Sequence, residues 1–362
     1  MYKKHFYLLA IALNIFLSCS YSNPNHTALL HPGQESLLLQ RTDSLLLLLD
    51  EVTPNITYAS CFNDSTNIFY FFGNDHIVAY NICSGAQLYT IPVEKEHIKR
   101  LSSFHVVTDT CIAVVDYDGQ AICCISREGA LLSKTEVNTE IDLPLMGASP
   151  IFDLGERYYF TSKTSDNECS LVSLDKKNNR INAFLPYPDI YKYNWGALLF
   201  RIPYACYSKE SNRITVSFPA EHFLYSFNCR DNSIEKTFAG SKYIKETVPI
   251  HTSAKKEVDN ETELEHYARS GSYSNILYDR FNQVYYRIAE LKTGAFSKVQ
   301  AKPLSVIILD KEFHILGETL LNDRFIPTYR YTPFVSKNGL HLQLISSEEE
   351  IIFGIYNLMK NE

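Results

Sequence analysis

The chain has 362 residues, a net charge of -7 and 13% aromatic residues, among them 25 Tyr, 21 Phe and a single Trp. The acidic balance and the absence of any Lys/Arg block argue against a nucleic-acid partner. The length allows one large domain, and the aromatic enrichment favours strands over helices.

Lys3, Lys4 and His5 form a short basic region, followed by an apolar run from Phe6 to Leu17 that only Asn14 interrupts. This run is shorter than the ~20 residues a helix needs to cross a bilayer, so it reads as the core of an export signal. It ends at Phe16-Leu17-Ser18-Cys19, which looks like a lipobox: a small residue before a cysteine that is acylated and becomes the new N-terminus. Residues 1–18 are therefore expected to be a lipoprotein signal peptide, Cys19 to carry lipid, and residues 19–35, polar at first, to be a tether. Each buried CH₂ of an acyl anchor contributes ~0.8 kcal/mol. The implied address is the bacterial cell envelope, lipid-anchored to the outer membrane and facing the periplasm. An ordinary cleaved signal with a chance cysteine is the competing reading.

Residues 36–362 read as a single all-β domain. A unit of strand, short turn, strand and third strand recurs. Ile68–Phe72 is followed by Gly73-Asn74-Asp75, then His76–Tyr80, then Leu88–Ile91. Cys111–Val115 is followed by Asp118-Gly119, then Ala121–Ile125, then Leu131–Ser133. Asp-Gly between two apolar runs predicts a type I′ hairpin turn. Further copies begin near Arg157, Arg213, Val284 and Leu340, and each has a candidate first strand before it, such as Tyr58–Cys61 or Phe104–Val107. Four strands per unit, recurring every forty residues or more, match the blades of a β-propeller. Several strands are apolar at consecutive positions, as a sheet covered on both faces requires. The expectation is about six four-stranded blades, with seven as the alternative.

The last strand, within Ile351–Tyr356, leaves its blade one strand short. Ser36–Gln40 and Leu45–Leu49 belong to no complete blade, so one of them is predicted to close the ring by pairing with the last blade. The Leu-rich composition of residues 35–50 also allows a short amphipathic helix. Besides Cys19, eight cysteines remain, mostly inside apolar runs and without C-x-x-C spacing. They read as small buried hydrophobes, with one or two disulfides as the alternative.

The stretch Tyr278-Asp279-Arg280-Phe281-Asn282-Gln283-Val284-Tyr285-Tyr286-Arg287, preceded by Ser272-Tyr273-Ser274, resembles a recurring motif of uncharacterised Bacteroides-type lipoproteins. That domain-of-unknown-function group is similar to TolB-like, six-bladed propellers. The resemblance implies a fold and an address but transfers no catalytic residue. The chain lacks the acidic cluster that by resemblance marks surface-displayed lipoproteins of this type.

No G-x-S-x-G, H-E-x-x-H, phosphate-loop or EF-hand motif is present, and no cofactor or metal is expected. Asp116–Gly119 is explained by a hairpin, and Glu261, Glu263, Glu265 and His266 by a solvated helical face. The informative feature is where the insertions fall. Links from the outer strand of one blade to the inner strand of the next gather on one face of a propeller, at the channel mouth. Three such links carry Tyr187, Tyr191, Lys192 and Trp195; His266, Tyr267, Arg269 and Tyr273; and Arg324, Tyr329 and Arg330. Long loops on a rigid scaffold are where binding usually sits, and these residue types favour contact. The function expected is a non-catalytic module that binds a glycan, a peptide or an envelope protein. Alternatives are a propeller-type glycan hydrolase or lyase, and a structural scaffold of an envelope complex.

Overall fold

The computed structural model describes residues 35–361 except 52, 138–140, 145–149, 165–168, 254 and 255. The expected signal peptide, Cys19 and nearly all of the expected tether lie outside the described residues. Six four-stranded antiparallel sheets make the blades of a propeller. Blade 1 comprises Ser60–Asn63, Ile68–Gly73, His76–Asn81 and Gln87–Pro92, from the inside outwards. Blade 2 comprises Leu101–Thr108, Cys111–Asp116, Ala121–Ile125 and Leu131–Glu136. Blade 3 comprises Ile151–Leu154, Arg157–Thr161, Leu171–Asp175 and Ile181–Ala183. Blade 4 comprises Tyr204–Ser208, Arg213–Ser217, Phe223–Asn228 and Ile234–Phe238. Blade 5 comprises Ser272–Asp279, Val284–Glu290, Leu304–Leu309 and Ile315–Leu320. Blade 6 takes Phe334–Ser336, Gly339–Gln343 and Glu350–Lys360 from the end of the chain, and its outer strand, Leu37–Leu48, from the beginning.

The core lies between blades. On one face of blade 1, Phe69, Phe71, Val78 and Tyr80 pack against Phe334, Ile351 and Phe353 of blade 6. On the other face Tyr70, Ile77 and Ala79 pack against Ile112, Val114 and Cys123 of blade 2. Equivalent clusters fill the remaining blade-to-blade interfaces. Both faces of each middle strand are thus covered, which is why these strands are apolar on consecutive residues.

Ring closure follows the sequence expectation and extends it. Both N-terminal apolar segments belong to one strand, Leu37–Leu48, which pairs antiparallel with Glu350–Lys360 through a register shift between Arg41 and Asp43. Leu45 and Leu47 are buried while Leu46 and Leu48 are exposed. That two-residue period excludes the helix. Leu45 and Leu47 enter the cluster between blades 6 and 1. The strand also touches blade 5, where Leu39 N–H donates to Thr319 Oγ1 at 2.8 Å. Gly317 makes this approach possible, since a Cβ there would lie 2.0 Å from the Leu37 carbonyl oxygen.

The type I′ turn is found elsewhere than predicted. Asn74 and Asp75, at φ 49° and 62°, form it in blade 1, whereas at Asp118-Gly119 only the following Gln120 has positive φ, 45°. The reason is Asp116, whose carboxylate accepts from the amides of Lys99, Arg100 and Gly119 at 3.0–3.1 Å. The carboxylate fills the space under the turn and sets its path.

The stretch 278–287 is a structural hairpin. Asp279 accepts from the Phe281 and Asn282 amides and from Tyr286 OH at 2.9–3.0 Å, and Gln283 takes positive φ, 57°. Arg287, fully buried, lies over the Tyr273 ring at 3.7 Å. It donates to Ser217 Oγ and to the carbonyls of Phe218, Glu221, His222 and Ala239 at 2.6–3.4 Å. One side chain thereby fastens blade 5 to the connections of blade 4. All eight described cysteines are free thiols, with Cys83 exposed.

Candidate functional site

The up-and-down order of each blade places the links 184–203, 239–271 and 321–333 on the same edge of the ring as 291–303, the turn between the second and third strands of blade 5. The links touch: Asn194 and His251 exchange backbone hydrogen bonds at 3.0 and 3.2 Å. Within the longest link, helix α1 spans Asn260–Arg269. Asp259 caps it by accepting from the Thr262 amide at 2.8 Å. Its Tyr267 and Ala268 are buried, while Glu261 and Glu265 face solvent.

The sequence expected eleven side chains of this face to meet a ligand, and their surroundings divide them. Trp195 is buried; its indole N–H donates to the Ile190 carbonyl at 2.9 Å, and its ring packs on Phe200 and Tyr191. Tyr191 OH accepts from the Ala220 amide at 3.1 Å, and half-buried Tyr187 meets it edge-on. Tyr273 is buried beneath Arg287, its OH accepting from the Ser241 amide at 2.9 Å. These four knit the links together and are not presented as open contact residues, because a link of that length needs its own apolar core. Lys192, Arg269 and Arg324 are exposed, yet each has a partner beside it: Asp189 at 2.6 Å, Glu265 at 2.6 Å and the Gln300 side chain at 3.0 Å. His266 donates Nε2–H to the Val248 carbonyl at 2.9 Å, and burial lowers its pKa.

The remaining three, Tyr267, Tyr329 and Arg330, converge on Glu290, a residue that sequence reasoning did not single out. Glu290 ends the second strand of blade 5 and is 2% exposed. Its carboxylate accepts from Tyr267 OH, Ser272 Oγ at 3.0 Å, Tyr329 OH at 2.7 Å and the Arg330 guanidinium at 2.6 Å. Lys302 Nζ stands 4.0 Å away and donates to Ser272 Oγ and to the carbonyls of Tyr267 and Ser270 at 2.7–3.1 Å. Burial alone would raise the Glu290 pKa; Arg330 and Lys302 hold it down, to about 2. Burial pushes Lys302 down to about 8 even with Glu290 beside it. The detectable signal was a Glu closing the run Val284–Ala289, apolar and aromatic but for Arg287, where a buried charge demands partners.

Two cavities adjoin this network. A pocket of about 270 Å³ opens between the links, lined by Leu199, Tyr267, Phe296, Lys302, Pro327 and Arg330 among others. The second, about 280 Å³, lies on the ring axis among the inner strands of all six blades, and Arg330 lines it too. In the axial cavity Cys61 Sγ lies 3.9 Å from His105 Nδ1. Desolvation raises the thiol to about 11 and lowers the imidazole. The pair is therefore neutral, the opposite of the thiolate–imidazolium state a cysteine nucleophile needs.

The fold agrees with the comparisons to known proteins. A family model described as a domain of unknown function, DUF4221, matches residues 36–320. The chain belongs to the DUF4221 family. A crystal structure of a DUF4221 member from Bacteroides vulgatus superimposes with a TM-score of 0.76 at 18% identity, covering 91% of this chain and 100% of that one. A protein of Bacteroides fragilis whose export is inferred gives a TM-score of 0.57 at 12% identity, covering 91% and 97%. Virginiamycin B lyase from Staphylococcus aureus gives 0.46 at 11% identity, covering 89% and 100%. No curated protein matches the sequence. The DUF4221 likeness is one of fold; the side chains around Glu290 have to be read from their own chemistry.

Proposed function

We propose that this DUF4221 protein is a lipid-anchored, non-catalytic binding propeller of the bacterial cell envelope, held by Cys19 to the outer membrane on its periplasmic side. It engages a glycan, a peptide or another envelope protein with the edge on which the long links gather. The observation that supports this reading is the pocket beside α1. Each of the three long links contributes to it, through Leu199, Tyr267 and Arg330, and the blade 5 turn supplies Phe296. About 270 Å³ suits a small molecule or one group of a larger partner.

Binding is favoured over a glycan hydrolase by the acids available. Among the described residues no Asp or Glu lines this pocket, and only Asp64 lines the axial cavity, where Arg280 pairs with it at 2.5 Å. Glycoside hydrolysis ordinarily needs two carboxylates across the scissile bond. Phe296 is 37% exposed and can be truncated at little risk to the fold. Phe296→Ala should weaken capture of envelope glycans or peptides by about 1–3 kcal/mol, as loss of an aromatic anchor does, with the melting temperature unchanged. Equal retention of every ligand by this variant would refute the pocket as the binding site.

A further inference from the structure

We propose that the pocket beside α1 is a site for an anionic ligand: a carboxylate attached to a flat apolar body, its charge directed to Arg330 and its body against Phe296 and Pro327. The inference rests on the binding reading above and names the ligand class. It starts from charge. Arg330 and Lys302 are both nine-tenths buried, and Glu290 is the one carboxylate in ion-pair range of either among the described residues. Two buried cations against one buried anion leave an uncompensated positive charge, an arrangement that is costly unless something completes it. Burial drives the Lys302 ammonium towards neutrality, showing that Glu290 does not fully offset the desolvation.

Hydrogen bonding points the same way. Lys302 spends its donors on Tyr267, Ser270 and Ser272. The guanidinium of Arg330 meets Glu290 at 2.6 Å and Tyr267 OH at 2.8 Å through one nitrogen. Its Nε–H is buried with no hydrogen-bond partner. An arginine that lines a cavity with an excess charge behind it is placed to donate to a carboxylate. The walls are chiefly apolar: Leu199, Phe296, Pro303 and Pro327, with Phe296 standing edge-on to Tyr267 at 6.5 Å between ring centroids. These surfaces cover a flat body and exclude water around the ion pair, while rejecting a second charge.

The test uses the full-length protein in detergent, with benzoate as probe and benzamide as its neutral isostere, titrated calorimetrically. Arg330 is built into the Glu290 network and its removal risks misfolding, so charge is altered at the rim instead. Ala295 is exposed and lines the pocket. Ala295→Glu adds a negative charge there, and Ala295→Gln adds the same bulk without it. Benzoate should bind and benzamide should not, and Ala295→Glu should weaken benzoate about fivefold relative to Ala295→Gln, the effect of one like charge at a solvated rim. Benzamide binding as well as benzoate, equal behaviour of the two variants, or no binding of benzoate would each overturn the anion assignment. The broader reading fails separately. If glycans or peptides still bind and Phe296→Ala weakens them, the pocket remains a binding site for a neutral ligand; if Phe296→Ala leaves them unchanged, both ideas fall.

Discussion

At the scale of single residues, the buried polar groups are the informative ones. Arg287 donates to four carbonyls and a hydroxyl of blade 4 and its connections. Arg287→Met fills the same space but strips the donor from the buried Glu221 and Ala239 carbonyls, those of Phe218 and His222 keeping the Glu221 and Ala239 amides, so it should cost about 3–5 kcal/mol in denaturant melts. Arg287→Lys keeps the charge but cannot span the fork and should recover only part of that. His341 makes a different kind of prediction. It is 1% exposed, stacked 4.2 Å from Phe334, and donates Nδ1–H to the Gly339 carbonyl at 3.0 Å. Burial lowers its pKa from 6.5 to about 4. Because the folded pKa is depressed, the unfolded chain binds the proton first as pH falls. The stability from keeping His341 neutral is whole above pH 6.5 and drains away towards pH 4, about 3 kcal/mol in all. Burial lowers His105 in the same direction. His341→Gln should remove about one proton from the uptake on unfolding in that window, measured by stability against pH. An unchanged slope would show that His341 is already charged in the fold. Glu290 acts lower down: its stabilisation is present above pH 4.5 and lost as pH falls towards about 2.

At the scale of elements, the blades were legible because hairpins write themselves locally. Two apolar runs and a short polar turn need no distant information, and the strands beginning at Arg157, Arg213 and Val284 sit where the pattern placed them. Ring closure was legible through a deficit, a chain ending one strand short. First strands were less so: the sequence put one at Tyr58–Cys61, whereas it runs Ser60–Asn63, because an inner strand reads like the link that leads into it. The site was legible only as a region. Tyr-rich links announce that something must be packed, but whether Trp195 meets ligand or Phe200 is decided by how three links separated in sequence fold over one another. Glu290 escaped notice for the same reason, since its partners lie in other elements. The closing strand carries the sharpest prediction at this scale. Deleting residues 36–48 would strip the edge of Glu350–Lys360 and open the cluster holding Leu45, Leu47 and Phe353. The expected result is a loss of several kcal/mol and aggregation through the bared edge. An unchanged melting temperature would mean the ring holds without its latch.

At the scale of the whole molecule, topology relates the anchor to the binding face. The closing strand runs from Leu37 to Leu48 and leads through residues 49–59 to the inner strand of blade 1. Leu48 is therefore at the edge bearing the long links, and Leu37, paired with Lys360, is at the opposite edge. A chain entering the ring at Leu37 comes from the side away from the pocket. The described chain therefore joins the segment that bears Cys19 at the edge opposite the pocket. Anchoring and binding then become separable properties. Cys19→Ala should move the protein from the membrane to the soluble fraction, while its melting temperature and its affinity for benzoate stay as they were. Retention of the variant on the membrane would refute the lipid anchor. Release accompanied by loss of binding would refute the independence of the two faces and make the membrane surface part of the site.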